Sequence, residues 1–347
     1  MLEESDDETP FLLVTSFLNP HDIVLFGVLW LSFGWNYDGA MGMNITYGEP
    51  TTRYEDLITG KKPSVQSDYA KRYKQVFVPQ VQVPVYYSFY FWLLAQVDIQ
   101  IKRVWDHLQH SRFKENTIVI FTSDHGDALG SHGGMHQKWH QAYEETTHVP
   151  FIVTGPGIAK GEKIDILSNH LDIVPTLLSF ANLDEESIRR KLKVIHTEAQ
   201  PLPGRDLKNV IQGFDKEDRP VYFLTEDDIS HGTNQTNALG QSYKSFITPN
   251  KVEAVITHIN GTKWKYVRTF NNSLINPPLP IGTVDDVEEY ELYNLNNDPI
   301  EVVNVGWDNI GTTDEARMVL PYMKILLIEE RNKKLRHPKT FYPPSVL

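Results

Sequence analysis

Three short apolar runs, at residues 10–17, 117–122 and 150–154, constrain the fold of this chain most strongly. Each is shorter than an ordinary buried helix, and turn-forming residues follow the first and the third. We therefore interpret each run as a strand buried on both faces. Strands of that kind are typical of parallel sheets that are covered by helices. The sequence thus predicts an α/β fold with a mostly parallel sheet.

Two segments are predicted to supply flanking helices. Residues 86–110 repeat apolar side chains in steps of three and four, which is typical of an amphipathic helix. Residues 172–180 begin with an acid and carry Pro175 in the first turn, as helix starts often do. Residues 36–80 are polar and interrupted by glycine and proline, so we expect long excursions with little regular structure there.

The pattern changes at about residue 215, where shorter β-like stretches replace the long apolar runs. These stretches cover residues 221–225, 252–257, 263–270 and 290–295, and an apolar-periodic helix is predicted at 318–334. We expect one α/β domain over residues 1–214 and a smaller C-terminal α+β subdomain over residues 215–347.

Charge and composition exclude several functions. The 347 residues carry a formal net charge of −12, which argues against nucleic acid as a partner because phosphate backbones need a basic face. There is no cysteine, so disulfides, thiolate zinc sites and a cysteine nucleophile are excluded. The acidic first residues do not resemble a signal peptide, and no apolar run is long enough to span a bilayer. A cytoplasmic location is the default expectation.

Residues 122–150 contain most of the side chains that are candidates for metal binding or catalysis. Asp124 and His125 follow the second apolar run, and open α/β sheets bind ligands beyond the carboxyl ends of their strands. A carboxylate and a neutral imidazole are both metal ligands. Taken singly, an Asp-His pair is more often a strand-to-loop turn than a metal site, and a residue such as Lys138 is more often a solvated surface lysine.

An ordered set of motifs resembles the sulfatase family of the alkaline-phosphatase-like superfamily. The stretch IVIFTSDHGD is followed by GSHGGMHQKW and YEETTHVPFIVTGPG. Further matches are FLLVTSFLNPHD at 11–22, NHLDIVPTLL at 169–178, PLPGRDL at 201–207 and YELYNLNNDPIE at 290–301. The resemblance implies that residues 1–214 are a partial sulfatase catalytic domain and that the substrate is a small-molecule sulfate ester.

The resemblance also implies roles for five residues. Asp124 and His125 would bind one divalent cation, usually Ca²⁺, with Mn²⁺ as the alternative. Lys138 would bind the sulfate oxygens and stabilise charge on the leaving group. His21 would donate a hydrogen bond or a proton to the departing oxygen. His132 would line the cleft, and its alternative interpretation is a loop histidine with satisfied polar atoms.

The chain departs from the family pattern at the nucleophile. Family members carry a Cys/Ser-x-Pro-x-Arg motif whose first residue becomes formylglycine. Here no cysteine exists, and none of the 21 prolines has a serine two positions before it. We expect a truncated chain, with a missing N-terminal fragment as a partner, and no turnover by these 347 residues alone. The alternatives are a phosphate or phosphonate monoester hydrolase of the same superfamily and a non-catalytic remnant.

Overall fold

The computed structural model describes residues 10–25, 49–77, 83–196, 199–230, 235–237, 239–271 and 287–335. These residues form two compact units. One is built from described residues within 1–50, 71–119 and 230–245, and the other from 51–70, 120–229 and 246–347. The predicted boundary at residues 214 and 215 stays a prediction.

Among the described residues, helices outnumber strands before residue 215, and strands outnumber helices after it. The helices are α1 (Ser64–Val76), α2 (Val83–His110), α3 (Ser131–Gly134), α4 (Glu144–Thr147), α5 (Ile173–Phe180), α6 (Glu185–Leu192), α7 (Lys208–Ile211) and α8 (Asp314–Lys334). The strands are β1 (Val119–Thr122), β2 (Phe151–Thr154), β3 (Val221–Thr225), β4 (Gln235–Thr236), β5 (Ser242–Tyr243), β6 (Lys251–Ile259), β7 (Thr262–Phe270) and β8 (Glu289–Asn294). Short 3-10 turns lie at His21–Leu25, Lys114–Asn116 and His170–Asp172.

The C-terminal part contains a four-stranded antiparallel sheet in the order β3-β6-β7-β8. Strands β6 and β7 pair along their whole length, from Lys251 opposite Phe270 to Ile259 opposite Thr262. Asn260 and Gly261 join them with φ angles of 50° and 82°. Positive φ at both central residues is what a two-residue hairpin turn requires, and Asn-Gly meets that requirement at low cost. The predicted C-terminal strands are thus confirmed.

Helix α8 covers this sheet. Thr313 caps its N-terminus, where the hydroxyl accepts a hydrogen bond from the amide of Ala316 at 3.1 Å. Leu320 and Met323 lie on the buried side of the helix and pack in one cluster with Trp264 of β7. Burying apolar surface of this kind is the main favourable contribution to folding. The predicted C-terminal helix is confirmed and begins four residues earlier than expected.

The two N-terminal-side strands are present but less buried than predicted. Strands β1 and β2 form a two-stranded sheet. Phe121 is 39% exposed and Ile152 is 57% exposed, so the expectation of strands buried on both faces is wrong in this structure. The reason is that the described residues place only these two strands in the sheet, and its apolar side chains therefore keep contact with solvent.

Two further expectations are corrected. Residues 10–17 form no strand, and Leu12 and Val14 are exposed, because no described strand pairs with their backbone. Residues 64–76 were expected to be irregular but form α1, in which Val65, Tyr69 and Tyr73 are buried. Their spacing of four residues is an apolar stripe within a polar sequence.

Helix α2 confirms the predicted long helix. It packs in its own unit through Phe89 and Leu93, which cluster with Ile23. The predicted helix at 172–180 is confirmed as α5. Among the described residues, no helix has both the length and the apolar character needed to cross a bilayer.

The packing of α8 predicts unequal effects of two truncations on the same helix. Leu320→Ala should lower the free energy of unfolding by about 2–5 kcal/mol, because Leu320 is buried against the sheet. Met318→Ala is the control and should change it by less than about 0.5 kcal/mol, since Met318 is 74% exposed. Urea unfolding measures both values. Equal losses would contradict the described packing.

Candidate functional site

Asp124 and His125 lie immediately beyond the end of β1, as predicted. The Nδ1 atom of His125 lies 2.7 Å from the carbonyl oxygen of Gly126, which can only accept, so Nδ1 carries the proton. The Nε2 atom therefore presents a lone pair. It accepts a hydrogen bond from Lys138 Nζ and lies 3.4 Å from Asp124 Oδ2. Three of the predicted site residues thus converge on one point.

Asp127 fixes the loop that brings Lys138 to His125. Its Oδ1 atom accepts hydrogen bonds from the amides of Leu129 at 2.7 Å and Gln137 at 2.9 Å. Burial raises the pKa of the Asp127 carboxyl, while these two amides and the nearby His125 and Lys138 act in the opposite direction. Sequence reasoning did not single out Asp127. The available signal was an aspartate followed by a turn, where its side chain often accepts backbone hydrogen bonds.

Gly126 is required by the close approach of another segment. A Cβ atom at this position would lie 2.0 Å from the carbonyl oxygen of Glu145. The Gly126 amide donates to Thr146 O at 3.0 Å. The chain around α4 therefore packs directly on the backbone beside His125, which only glycine permits.

His132 lies in the protein interior. Its Nδ1 atom is 2.8 Å from Glu55 Oε2, its Nε2 atom is 3.4 Å from Glu145 Oε2, and its ring stacks on Tyr143 at 3.6 Å. Burial lowers the pKa of His132, but the hydrogen bonds and charges of Glu145 and Glu55 outweigh burial and raise it. The ring has no exposed surface and its Nδ1 atom is bound by Glu55, which agrees with the alternative interpretation of His132 as a loop histidine. Its predicted substrate-binding role gains no support.

His21 belongs to the other unit. Its exposed side chain stands at the start of a 3-10 turn, where its amide donates to Leu18 O at 3.1 Å. Its predicted role beside a departing oxygen stays a prediction.

Two further side chains make hydrogen bonds close to the site, one beside Asp124 and one beside Lys138. The Nε2 atom of His170 is 2.8 Å from the carbonyl oxygen of Ser123, the residue before Asp124. Trp139, which follows Lys138, donates from Nε1 to Asp227 Oδ2 at 2.7 Å. Sequence reasoning missed both contacts, because each joins residues that are 47 or more positions apart.

The carboxylate oxygen of Asp124 and the ring nitrogen of His125 fit two neighbouring ligand positions of a metal ion. A proton on Nδ1 that is bonded to a backbone carbonyl orients a metal-binding histidine in many proteins. The Nε2 and Oδ2 atoms are close enough to share one cation. Among the residues that the structure describes, no group of three or more carboxylate or imidazole side chains could hold a metal ion. Asp124 and His125 thus fit two positions of a metal site. Among the described residues, no third carboxylate or imidazole side chain completes such a site with them.

The family assignment follows from comparison with known proteins. Residues 1–183 match the family model for sulfatases, which is more than half of the chain. This chain belongs to the sulfatase family. The recognition made from the motifs is confirmed.

Curated relatives of this sulfatase-family chain include two named sulfatases. Arylsulfatase K of Gallus gallus is 26% identical over 279 residues, which cover 77% of this chain and 43% of the relative. The choline-sulfatase of Rhizobium meliloti (strain 1021) is 24% identical over 319 residues, which cover 91% of this chain and 50% of the relative. The chain thus spans about half the length of these relatives.

Solved structures show the same fold. A candidate sulfatase from Bacteroides thetaiotaomicron VPI-5482 has a TM-score of 0.57 at 20% identity, covering 94% of this chain and 60% of that chain. A phosphonate monoester hydrolase from Silicibacter pomeroyi has a TM-score of 0.52 at 19% identity, covering 79% of this chain and 49% of that chain. The predicted fold class, α/β with a C-terminal sheet subdomain, is confirmed.

The environment of His132 predicts a pH-dependent contribution to stability. Because its pKa in the folded state is raised above 6.5, the stabilisation is complete below pH 6.5 and is lost as the pH rises through the folded-state pKa. His132→Gln cannot carry the charge. The difference in unfolding free energy between wild type and this variant should therefore shrink, on the order of 1 kcal/mol, between about pH 5.5 and pH 9. A difference that stays constant in urea unfolding across this range would contradict the pairing.

Proposed function

We propose that Asp124, His125 and Lys138 form part of the catalytic site of a sulfate-monoester hydrolase. The observation that carries the proposal is their convergence beyond β1, with Lys138 Nζ at His125 Nε2 and Asp124 Oδ2 3.4 Å from that nitrogen. Membership of the sulfatase family supports the same reaction. The substrate class is a small-molecule sulfate ester.

A divalent cation would be held by Asp124 and His125, with Ca²⁺ as the first candidate and Mn²⁺ as the second. The single lone pair of His125 Nε2 accepts from Lys138 in this structure, so cation binding would require the ammonium group to leave that nitrogen. When bound, the cation would neutralise charge on the sulfate oxygens and polarise the sulfur centre. The chain's own contribution here is orientation. The Gly126 carbonyl fixes the imidazole of His125, and the amide of His125 donates to Asp124 Oδ1 at 2.9 Å, which fixes the carboxylate.

Lys138 would hold the anionic group of the ester. Its ammonium group offers three donors and a full positive charge, which suits oxygens on which negative charge develops. His21 is proposed as the donor to the departing oxygen. The sequence contains neither a cysteine nor a Ser-x-Pro-x-Arg motif, so the formylglycine that the family uses has no counterpart among its residues.

A second candidate is a phosphate or phosphonate monoester hydrolase. The fold likeness to a phosphonate monoester hydrolase favours it, since the same donors suit either anion. A third candidate is a non-catalytic chain. The exposed Phe121 and Ile152 on the small sheet favour it, because an apolar surface of this kind is suited to contact with another polypeptide.

Turnover by the native polypeptide tests the reaction. The start of that polypeptide is first mapped by mass spectrometry, and an aryl sulfate, phosphate and phosphonate are then compared. Lys138→Ala should lower kcat/KM for the sulfate about a hundredfold to a thousandfold, because the charge on the leaving group loses its counterion. Lys160→Ala, at an exposed lysine, is the matched control and should keep the wild-type rate. A preference for the phosphate or phosphonate would sink the sulfate assignment, and no turnover would favour the non-catalytic candidate.

Cation binding tests the proposed ligands without any turnover. Calorimetric titration of this chain with Ca²⁺ and Mn²⁺ should show one site that Asp124→Asn weakens at least about tenfold, because a charged oxygen ligand is lost. Asp165→Asn is the control, since this aspartate pairs with Lys163 in solvent. Unchanged affinity in Asp124→Asn would rule out Asp124 as a ligand.

A further inference from the structure

A cavity of about 420 Å³ lies between residues 57–67 and residues of the C-terminal part of the chain, and none of Asp124, His125 and Lys138 lines it. Its walls come from the segment before α1, the start of β8 and Trp307. Cavities of this size accept small organic ligands such as a single sugar ring. Nothing in the proposed hydrolysis uses this cavity.

The walls of the cavity are held in place before any ligand binds. The side chain of Asn304 donates to the carbonyl oxygen of Lys61 at 2.8 Å. Both the amide and the hydroxyl of Ser64 donate to Glu289 Oε2, at 2.8 and 2.9 Å. These bonds join the loop before α1 to β8 and to the chain that follows it. A ligand would therefore meet a largely pre-formed surface.

The cavity combines an aromatic platform with a carboxylate. Trp307 is 45% exposed, and Lys61 Nζ lies 5.1 Å from the centre of its ring. Glu288 is neutralised by Arg268, whose Nε donates to its Oε1 at 2.8 Å. Glu289, in contrast, receives only the neutral donors of Ser64 in the described contacts. The cavity thus presents the indole ring of Trp307, the Glu289 carboxylate and the Lys61 ammonium group. A second lining lysine, Lys62, has its ammonium group bound by Glu55, Tyr293 and the carbonyl oxygen of Glu301.

These groups discriminate between classes of ligand. A purely apolar ligand would desolvate Glu289 without replacing its hydrogen bonds, which costs free energy. A polyanion would face Glu289 with a single ammonium group to balance it. An organic cation would compete with Lys61 for the ring of Trp307. A neutral sugar ring avoids the first two penalties and, unlike an organic cation, is not repelled by the Lys61 ammonium group. Its C–H face packs on an indole and its hydroxyls donate to a carboxylate.

We propose that this cavity is a saccharide-binding site, with Trp307 as the stacking platform and Glu289 as the acceptor for ring hydroxyls. The site is independent of the proposed hydrolysis. It would allow the protein to hold a sugar unit at a position that does not react.

Indole ¹⁵N–¹H spectra of the full chain test the proposal, since each of the seven tryptophans contributes one side-chain signal. The signal of Trp307 is identified as the one missing from Trp307→Ala. The probes are methyl glucopyranoside, methyl galactopyranoside, methyl mannopyranoside and N-acetylglucosamine, with inorganic sulfate as the non-saccharide control. At least one sugar should shift the Trp307 signal with a Kd of about 1–10 mM, a range ordinary for one sugar ring. Sulfate should leave that signal in place.

Saturation-transfer spectra with the same sugar separate binding from folding. Trp307→Ala should abolish the transfer, and Glu289→Gln should weaken binding at least about fivefold, because the ring hydroxyls lose a charged acceptor. Trp105→Ala is the matched control, since Trp105 is a 40% exposed tryptophan on α2 that does not line the cavity. The proposal is overturned if no sugar shifts the Trp307 signal, or if transfer survives in both Trp307→Ala and Glu289→Gln.

Discussion

The buried ammonium group of Lys265 is the constraint on which the C-terminal part of the structure depends. Lys265 lies in β7 and is fully buried, with Nζ at 2.7 Å from Glu144 Oε1 and 2.9 Å from Glu301 Oε1. It also donates to the carbonyl oxygen of Ala142 at 2.8 Å. Burial lowers the pKa of Lys265, but attraction to Glu301 and Glu144 outweighs burial and raises it. The lysine therefore stays charged. A charge buried in this way is tolerated only with its partners in place.

This ion cluster links the sheet to the loop that supports the candidate site. The amide of Glu144 donates to Glu301 Oε2 at 2.7 Å, and the neighbouring Tyr143 stacks on His132. Glu145 continues the same segment and brings its carbonyl oxygen against Gly126, beside His125. The consecutive residues 142–145 therefore connect β7 to the backbone beside Asp124 and His125. Displacing that segment would leave charges unpaired, so the geometry around His125 is set by the C-terminal sheet.

How much could be predicted from the sequence depends on how local each signal was. Strands β6 and β7 and helix α8 carry their own periodicity and turn residues, and they were predicted within a few positions. Residues 10–17 have the composition of a strand, but a strand also needs a partner, which composition does not reveal. The convergence of Asp124, His125 and Lys138 was expected from the family motifs. The burial of His132 was not, because its partner Glu55 stands 77 residues away in the sequence.

The charges of the described residues do not by themselves select one class of anion at the candidate site. The described groups that face it are the Lys138 ammonium and the Asp124 carboxylate, which is 83% exposed. A phosphate monoester carries close to two negative charges at neutral pH, so its repulsion by the carboxylate and its attraction to the ammonium group both exceed those of a singly charged ester. Sulfate and phosphonate monoesters are both singly charged, so repulsion does not separate them. They differ in the oxygens that they present, three terminal oxygens on a sulfate and two on a phosphonate. An ammonium group with three donors can contact more of the sulfate oxygens, and this difference is in line with the sulfate ester that is proposed.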